Sequence, residues 1–282
     1  MGAIGLYLAQ EFRLANYHVR GLDFRTNKNS RKIKSTSSIN GENFTLHLDI
    51  DSKINEKDDV IFICLKSYDI DDLLISKLMD SKKEVLFIQN GLLIRNKLKD
   101  ITQLFAIGTI TGIQSTLHNK RLDVQSLNTN IFAKLNDKTS KLAELAVGQN
   151  LPHTKLHFDS NFQIQFYCKY VRWMVTGCLN LLNSAGVGDS LKQAPKEDVL
   201  LVIKELISFI DHEFGLGIDA EDILYTLYNL PKNLKTSSYR DFEKGKPTEI
   251  LNELEHVVSV LKIFNTDKLM LEKWKDEILH AK

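Results

Sequence analysis

The chain begins with Met1-Gly2-Ala3-Ile4-Gly5-Leu6-Tyr7-Leu8-Ala9, and apolar residues continue at helical spacing for one more turn. A Gly-x-x-Gly pair that opens a helix is the second part of the Gly-x-Gly-x-x-Gly fingerprint of dinucleotide-binding domains. Its glycines let the backbone approach a pyrophosphate, which binds at the helix N-terminus. We therefore predict that Gly2, Ile4 and Gly5 bind a dinucleotide cofactor. The sequence lacks the first glycine of the fingerprint and the strand before it, and we expect the natural start to lie upstream of Met1. The alternatives are that another segment fills the place of the strand or that the protein binds nucleotide poorly.

Strand-like and helix-like segments alternate through the first half of the chain. Residues 60–65 and 85–88 are continuous apolar runs, as expected of strands buried on both faces of a parallel sheet. Residues 68–79, between them, have the spacing of an amphipathic helix. Further strands are predicted at residues 18–24 and 104–110, and a small β meander is predicted at residues 121–134. The alternation predicts an α/β fold, with a doubly wound, Rossmann-type nucleotide-binding domain over residues 1–157.

Polar residues follow each predicted strand, where ligands bind in such a sheet. Arg25 follows the second predicted strand, Lys66 follows the next, and Asn90 follows the one after that. Asp23 can accept the ribose hydroxyls of NAD, whereas a cluster of cations can neutralise the 2′-phosphate of NADP. The cluster comprises Arg25, Lys28, Arg31 and Lys32. Because the cations outnumber the carboxylate, we predict NADP as the cofactor; a solvated basic loop is the alternative.

The second half of the chain, residues 158–282, has a helical pattern almost throughout and predicts an all-helical C-terminal domain. Helices are expected at residues 161–185, 199–214, 220–230, 248–264 and 268–279. On the first of these, Lys169, Trp173 and Asn180 fall on one face. Thr248 is placed to cap the fourth helix, and Glu249 lies in its first turn, where a carboxylate is favourable.

Composition excludes several classes of protein. The formal net charge is +1 at pH 7, with 43% hydrophobic and 26% charged residues, so nothing indicates a nucleic-acid partner or a charged membrane surface. No apolar run reaches the roughly 18 residues of a membrane span. The three cysteines lack metal-ligand spacing, and we predict free thiols in a cytoplasmic protein with no metal site.

Short motifs along the chain resemble those of the ketopantoate reductase (2-dehydropantoate 2-reductase) family. The resemblance spans the whole length apart from the missing first strand, and the motifs near the C-terminus are the most specific. The motifs are Gly2-x-x-Gly5, Leu65-Lys66-Ser67-Tyr68, Gln89-Asn90-Gly91, Lys169, Ser237-x-x-x-Asp241 and Gly245-Lys246-Pro247-Thr248-Glu249-Ile250.

The resemblance implies NADPH-dependent reduction of 2-dehydropantoate to pantoate, on the route to pantothenate and coenzyme A. It implies that Lys169 and Glu249 are catalytic and that Asn90 contacts both cofactor and substrate. It also implies cofactor contacts for Lys66 and Arg25. Substrate contacts are expected from Lys169 and Ser237. The partner is a small keto acid, and the helical domain is compatible with a monomer or a homodimer.

The residue types suit that chemistry. A hydride that reaches a ketone carbon leaves negative charge on the carbonyl oxygen. The ammonium of Lys169 can stabilise this charge and supply a proton, provided that its pKa lies near the working pH. Glu249 can orient the lysine, adjust its pKa, or accept a hydrogen bond from a hydroxyl group. Ser237 and Asn90 are neutral donors suited to a substrate carboxylate and carbonyl.

The sequence also departs from the family. The family usually carries asparagines four and eight residues after the lysine, where this chain has Trp173 and Gly177. Asn180 lies on the same helix face, and we assign it to substrate binding. After Glu249, the family's Asp and Asn-Gly are replaced by Leu251, Leu254 and Glu255. These changes leave two alternatives to ketopantoate reduction: a reductase of a related branched 2-keto acid or of another substrate class, and a non-catalytic nucleotide-binding relative.

Overall fold

The computed structural model describes residues 2–23, 31–98, 104–119, 121–135, 139–148, 150–158, 162–264 and 269–280. The chain folds as two compact units. The first comprises Met1–Gln89 with Ile94–Phe162, and the second comprises Asn90–Leu93 with Gln163–Lys282. The short segment 90–93 thus belongs to the second unit, although the residues on either side of it belong to the first.

The first unit contains a mixed eight-stranded sheet. Its strands lie in the order β1-β3-β2-β7-β6-β5-β4, and β8 pairs with β7. The β2–β3 and β6–β7 pairs are antiparallel, and the other pairs are parallel. The strands are β1 (Gly21–Leu22), β2 (Arg31–Ile39), β3 (Glu42–Asp51), β4 (Val60–Ile63), β5 (Glu84–Ile88), β6 (Phe105–His118), β7 (Arg121–Lys134) and β8 (Thr154–His157). The α/β class is therefore confirmed, with a mixed sheet in place of a wholly parallel one.

Strand β5 shows why its apolar run is continuous. All five of its residues are buried. Leu86 and Ile88 belong to the core on the side of helix α1 (Ala3–Leu14), which also contains Leu6 and Phe12. Val85 and Phe87 belong to the core on the opposite side of the sheet, with helix α2 (Asp72–Asp80). Successive side chains of a strand point to opposite faces, so a strand covered by helices on both faces carries no polar alternation.

The β2–β3 hairpin is an element that the sequence prediction missed. Its turn is Asn40-Gly41, and both residues have positive φ values, 51° and 89°. This is the conformation of a two-residue type I′ turn, for which Asn-Gly is the preferred sequence. Buried Leu46, Leu48 and Ile50 alternate with exposed residues along β3. The Asn-Gly pair and this alternation were the available signals. Within the described part of the strand predicted at residues 18–24, Gly21–Leu22 forms β1 and pairs with β3, and Phe24 lies outside the described residues.

The second unit is helical, as predicted. The long helix α5 (Phe162–Asn183) is followed by α6 (Val187–Gln193), α7 (Lys196–Phe214), α8 (Ala220–Tyr228), α9 (Ser237–Phe242), α10 (Glu249–Ile263) and α11 (Met270–His280). Helices α3 (Leu93–Leu98) and α4 (Ser140–Gly148) lie earlier in the chain. Asp219 caps α8, and α7 ends at Gly215 in the left-handed conformation. The short helix α9 precedes α10 and was not among the predicted helices.

Helices α5 and α10 pack very closely at one point. A Cβ atom added to Gly177 of α5 would lie 2.5 Å from Cδ1 and 2.7 Å from Cγ1 of Ile250, which is fully buried in the first turn of α10. Such distances are well inside van der Waals contact, so only glycine fits at residue 177. This close approach fixes the start of α10, where Glu249 lies, against the helix that carries Lys169.

We predict that Gly177→Ala destabilises the protein by about 1–3 kcal/mol, because the added methyl group overpacks the contact with Ile250. The free energy of unfolding from urea titration measures the effect. Ile250→Val removes Cδ1, so the double variant should lose less stability than the sum of the two single losses. Gly148→Ala is the control, since a Cβ there meets nothing within 4 Å. Additive losses would contradict a direct steric contact.

Candidate active site

Lys169 is the centre of the candidate site. It lies in α5, is partly buried, and its Nζ donates a hydrogen bond to Oδ1 of Asn90 at 2.7 Å. Asn90 belongs to the segment Asn90–Leu93 of the second unit and follows directly after strand β5. Two residues that are 79 positions apart in the chain are thus brought together, and the amide oxygen fixes the direction of one ammonium N–H.

The pKa of Lys169 is lowered to about 7. Burial is the largest cause, because a desolvated ammonium favours its neutral form. The cation of Arg172 lowers this pKa further, and the negative charge of Glu249 opposes both effects. Lys169 therefore exchanges its proton in the neutral range, which is what a general acid or base requires.

Glu249 occupies the first turn of α10 and is 4% exposed. The preceding residue, Thr248, caps the helix, since its side chain accepts a hydrogen bond from the N–H of Ile250 at 3.4 Å. The predicted cap is therefore confirmed. A carboxylate in a first helical turn is stabilised by the helix dipole. The negative charge of Glu249 raises the pKa of Lys169.

A second carboxylate lies one turn further along α10. Glu253 is fully buried, and its Oε1 accepts the backbone N–H of Leu93 at 3.1 Å. Its Oε2 accepts the hydroxyl group of Tyr170, the residue after Lys169, also at 3.1 Å. The carboxyl group thus contacts both the Asn90–Leu93 segment and the helix of the lysine.

Asn180 makes hydrogen bonds to backbone groups from both ends of its side-chain amide. It is fully buried, and its Nδ2 donates to the carbonyl oxygens of Ala185 at 2.8 Å and Leu234 at 3.4 Å. Its Oδ1 accepts the N–H of Thr236 at 3.0 Å. Both ends of the amide are therefore engaged by backbone groups. This geometry favours an anchor for the chain before α9 over the substrate contact predicted for Asn180.

Ser237 is the first residue of that short helix and is partly buried. Its neighbour Thr236 caps α9 by accepting the N–H of Tyr239 at 3.2 Å. Asn180 therefore holds the cap, and the cap in turn fixes the backbone from which the Ser237 hydroxyl group projects.

Three of the predicted cofactor residues, Gly2, Ile4 and Gly5, lie at the start of α1. Gly2 is the N-cap, with extended backbone and no side-chain cap, and the first turn contains no acidic residue. Ile4 and Gly5 belong to that turn. The first N–H groups of a helix have no partner within the helix, and Gly2, at the cap position, has no side chain that could accept them. A Cβ at Gly2 would meet nothing within 4 Å, so the backbone there is open to a ligand.

The loops that follow β4 and β5 are tied together within the first unit. Nε2 of Gln89 donates to the carbonyl oxygen of Leu65 at 3.0 Å. Lys66 follows Leu65, is partly buried and begins a 3₁₀ turn, Ser67–Asp69. The parallel pairing of β4 with β5 places this loop at the carboxyl end of the sheet, as predicted. Arg25, the predicted 2′-phosphate ligand, lies outside the described residues.

Sequence reasoning missed three residues of the cluster: Tyr170, Arg172 and Glu253. Arg172 is three positions after Lys169, and Glu253 is four positions after Glu249. Residues at these helical spacings share a face, so the spacing was a usable signal. Trp173, at the family's asparagine position, is 8% exposed and packs near Tyr170 with ring centroids 6.1 Å apart. Its indole N–H has no acceptor within the part of the chain that the structure describes.

These features define a protein of two units. The α/β unit has a helix, α1, that begins without a side-chain cap at Gly2. The helical unit contains a lysine, Lys169, whose pKa is about 7. Residues 1–131 match the family model of ketopantoate reductase PanE/ApbA. This match covers just under half of the chain and confirms the resemblance of its motifs to that family.

Solved structures share the fold at low sequence identity. The 2-dehydropantoate 2-reductase from Geobacter metallireducens GS-15 has a TM-score of 0.81 and 18% identity, covering 100% of this chain and 98% of that one. D-mandelate dehydrogenase, in a ternary structure with NADH and anilino(oxo)acetate, has a TM-score of 0.82 and 16% identity, covering 99% and 95%. A dimeric ketopantoate reductase from Staphylococcus aureus has a TM-score of 0.78 and 15% identity, covering 99% and 95%. No curated protein matches the chain significantly.

Within the described ranges, no helix combines the length and apolar character needed to cross a bilayer.

We predict that Asn180→Ala lowers the free energy of unfolding by about 2–3 kcal/mol, because buried backbone groups lose their partners. Asn183→Ala is the matched control on the same helix. Asn183 makes one side-chain hydrogen bond, to the carbonyl oxygen of Leu179 at 3.2 Å, so its loss should stay below about 1 kcal/mol. Chemical denaturation measures both. Unchanged stability of Asn180→Ala together with a raised KM for substrate would instead establish a substrate contact.

Proposed function

We propose that this protein is a nicotinamide-dependent reductase of a 2-keto acid, using NADPH to reduce 2-dehydropantoate to pantoate. The observation that carries the proposal is the Lys169–Asn90 hydrogen bond of 2.7 Å at a lysine whose pKa is lowered to about 7. The match of residues 1–131 to the ketopantoate reductase family model supports this choice of substrate. In keeping with the composition, we propose a cytoplasmic enzyme of pantothenate and coenzyme A biosynthesis.

In this reaction Lys169 donates a proton to the carbonyl oxygen of the substrate as negative charge develops there. Asn90 directs the ammonium through its Oδ1 and presents its amide N–H₂ to cofactor or substrate. Glu249 keeps enough negative charge nearby to hold the lysine protonated below neutral pH. Ser237 offers a hydroxyl donor to the substrate carboxylate, and Asn180 acts indirectly by holding the cap beside it.

Features of the first unit support the proposal that it binds a dinucleotide. The uncapped N-terminus of α1, with no acidic residue in its first turn, suits a pyrophosphate. Gly2, Ile4 and Gly5 would supply backbone N–H groups, and Lys66 a cation beyond the end of β4. The bound cofactor supplies the hydride. Arg25 would contact the 2′-phosphate, which is the feature that selects NADPH over NADH.

A second candidate substrate is a branched 2-keto acid with a larger apolar side chain. Where the family carries asparagines, this chain has the buried indole of Trp173 and the packed contact of Gly177 with Ile250. Leu254, which replaces another family asparagine, is fully buried. These changes remove side-chain amides that can recognise a substrate hydroxyl group. The fold shared with D-mandelate dehydrogenase, whose substrate class carries an aromatic group, supports including such acids.

A spectrophotometric screen at 340 nm tests the function. We expect purified protein to oxidise NADPH with 2-dehydropantoate, 2-ketoisovalerate or phenylglyoxylate, and the order of kcat/KM separates the two candidates. Arg25→Ala should raise the KM for NADPH by roughly 10- to 100-fold, as loss of a charge-assisted contact predicts, with little change for NADH. Arg121→Ala, a change of an exposed arginine in β7, is the control. Tight NADPH binding without turnover of any keto acid would point to the non-catalytic alternative.

We predict that kcat/KM for keto-acid reduction falls as pH rises through about 7, because Lys169 must be protonated to donate. Well above that pH, the rate should drop about tenfold for each pH unit. Lys169→Arg keeps a positive charge but not a transferable proton, so it should lower kcat roughly 10²- to 10⁴-fold and remove the descending limb. Initial-rate pH profiles measure both effects.

Lys192→Ala, a change of an exposed lysine on α6, is the control for Lys169 and should keep the wild-type profile. A descending limb that persists at the same pH in Lys169→Arg would assign the titration to another group.

The proposal includes a homodimer, the state named for the Staphylococcus aureus relative. Size-exclusion chromatography with light scattering measures it directly.

A further inference from the structure

The carboxyl group of Glu253 lies against the backbone of Gly91, at a place that any side chain at residue 91 would occupy. A Cβ added to Gly91 would lie 1.9 Å from Oε1 and 2.6 Å from Cδ of Glu253. Beyond that glycine, the same oxygen accepts the N–H of Leu93 at 3.1 Å, and the N–H of Leu92 also bonds the carboxyl group. Gly91 and Glu253 are therefore matched, because the bare backbone of one makes room for the carboxylate of the other.

This contact is one residue away from the proposed chemistry. Asn90 immediately precedes Gly91, and its Oδ1 accepts the Lys169 ammonium at 2.7 Å. The other oxygen of Glu253 accepts the hydroxyl group of Tyr170, which is adjacent to Lys169 in α5. One carboxyl group on α10 thus holds the partner of the lysine from one side and the helix of the lysine from the other.

The environment of Glu253 is costly to maintain. Glu253 is fully excluded from solvent, and desolvation raises its pKa to about 7. An apolar residue of similar volume avoids the desolvation of a buried carboxyl group and is often as stable or more stable. A glutamate at this position is explained more simply by what it holds in place than by stability alone.

We propose that Glu253 is a positioning residue: it holds the Asn90–Leu93 turn so that the amide of Asn90 remains on the ammonium of Lys169. The inference rests on the proposed function for its catalytic consequence, but the geometric relation between the three side chains can be tested without turnover.

The kinetic test is a double-mutant cycle between Glu253 and Asn90 in the full-length protein. Glu253→Gln keeps an acceptor oxygen for the turn, so kcat should stay within about threefold of wild type. Glu253→Met removes both acceptors and should lower kcat roughly 10- to 100-fold, as expected when a catalytic partner is misplaced. In the Asn90→Ala variant, the further change Glu253→Met should lower kcat only slightly more, because the Asn90 amide that Glu253 positions is already absent.

Glu205→Met is the matched control. Glu205 is also a buried glutamate that accepts two backbone N–H groups, those of Met270 and Leu271, at 2.7 and 2.8 Å. Its loss should lower stability without changing kcat beyond about twofold, and it should show no coupling to Asn90→Ala. Full additivity of Glu253→Met with Asn90→Ala would overturn the proposal and leave Glu253 a purely structural residue.

A titration of Lys169 by carbon-13 NMR at its Cε, assigned with Lys169→Arg, gives a readout that needs no substrate. Both Glu253→Gln and Glu253→Met remove the same carboxyl charge, and both leave Arg172 and Glu249 in place. If Glu253 positions Asn90, Lys169 should titrate at a lower pH in the Met variant than in the Gln variant. In the Met variant alone, Asn90 moves away and the ammonium of Lys169 loses Oδ1 of Asn90 as its hydrogen-bond acceptor. Equal titration in the two variants would overturn the proposal.

Should Glu253→Met fail to fold, the contact is tested from its other side. Gly91→Ala should lower kcat by pushing the turn away, and Glu253→Asp, which withdraws the carboxylate, should partly restore it in the double variant. No rescue would count against the proposal. An inactive wild type with the expected Lys169 titrations would refute the proposed function while leaving the positioning role intact.

Discussion

The partly buried ammonium of Lys169 is the constraint on which the candidate site depends. A cation removed from water is unfavourable unless nearby groups compensate for the lost hydration. Asn90 compensates with an accepted hydrogen bond and Glu249 with negative charge, whereas Arg172 works in the opposite direction. The balance of these effects brings the pKa of Lys169 down to about 7 and makes its proton available at neutral pH.

Helix α10 supplies this balance because its first turn is held in place. Thr248 caps the helix, and Ile250 packs against the bare backbone of Gly177 on α5. Glu249 and Glu253 then project one turn apart on the same face. The first carboxylate acts on the lysine through its charge, and the second contacts the Asn90–Leu93 segment. Close packing between two helices therefore sets the positions of charged groups that no local interaction could place.

The departures from the family pattern have physical explanations in the second unit. Gly177 stands where an asparagine is usual because the neighbouring helix leaves no room for a Cβ. Trp173 fills the other asparagine position with a buried indole, and Leu254 is fully buried. Each change exchanges an amide for apolar surface. Together they leave this part of the helical unit more apolar than the family pattern.

The sequence by itself determined the class of fold, the resemblance to a known family and the positions of most helices. Continuous apolar runs such as that of β5 and helix caps such as Thr248 and Asp219 are local signals. They can be recognised in the sequence because the residue type and its spacing determine burial and helix starts. The same kind of signal, Asn40-Gly41 with the alternation of β3, was present for the missed hairpin. Only the tertiary structure decided the environment of each polar side chain. Asn180 and Lys169 share a helix face in sequence, yet the amide is fully engaged by the backbone before α9 and the lysine meets Asn90. Glu253 and Gly91 are separated by more than half of the chain, so their fit depends on packing that no local pattern encodes.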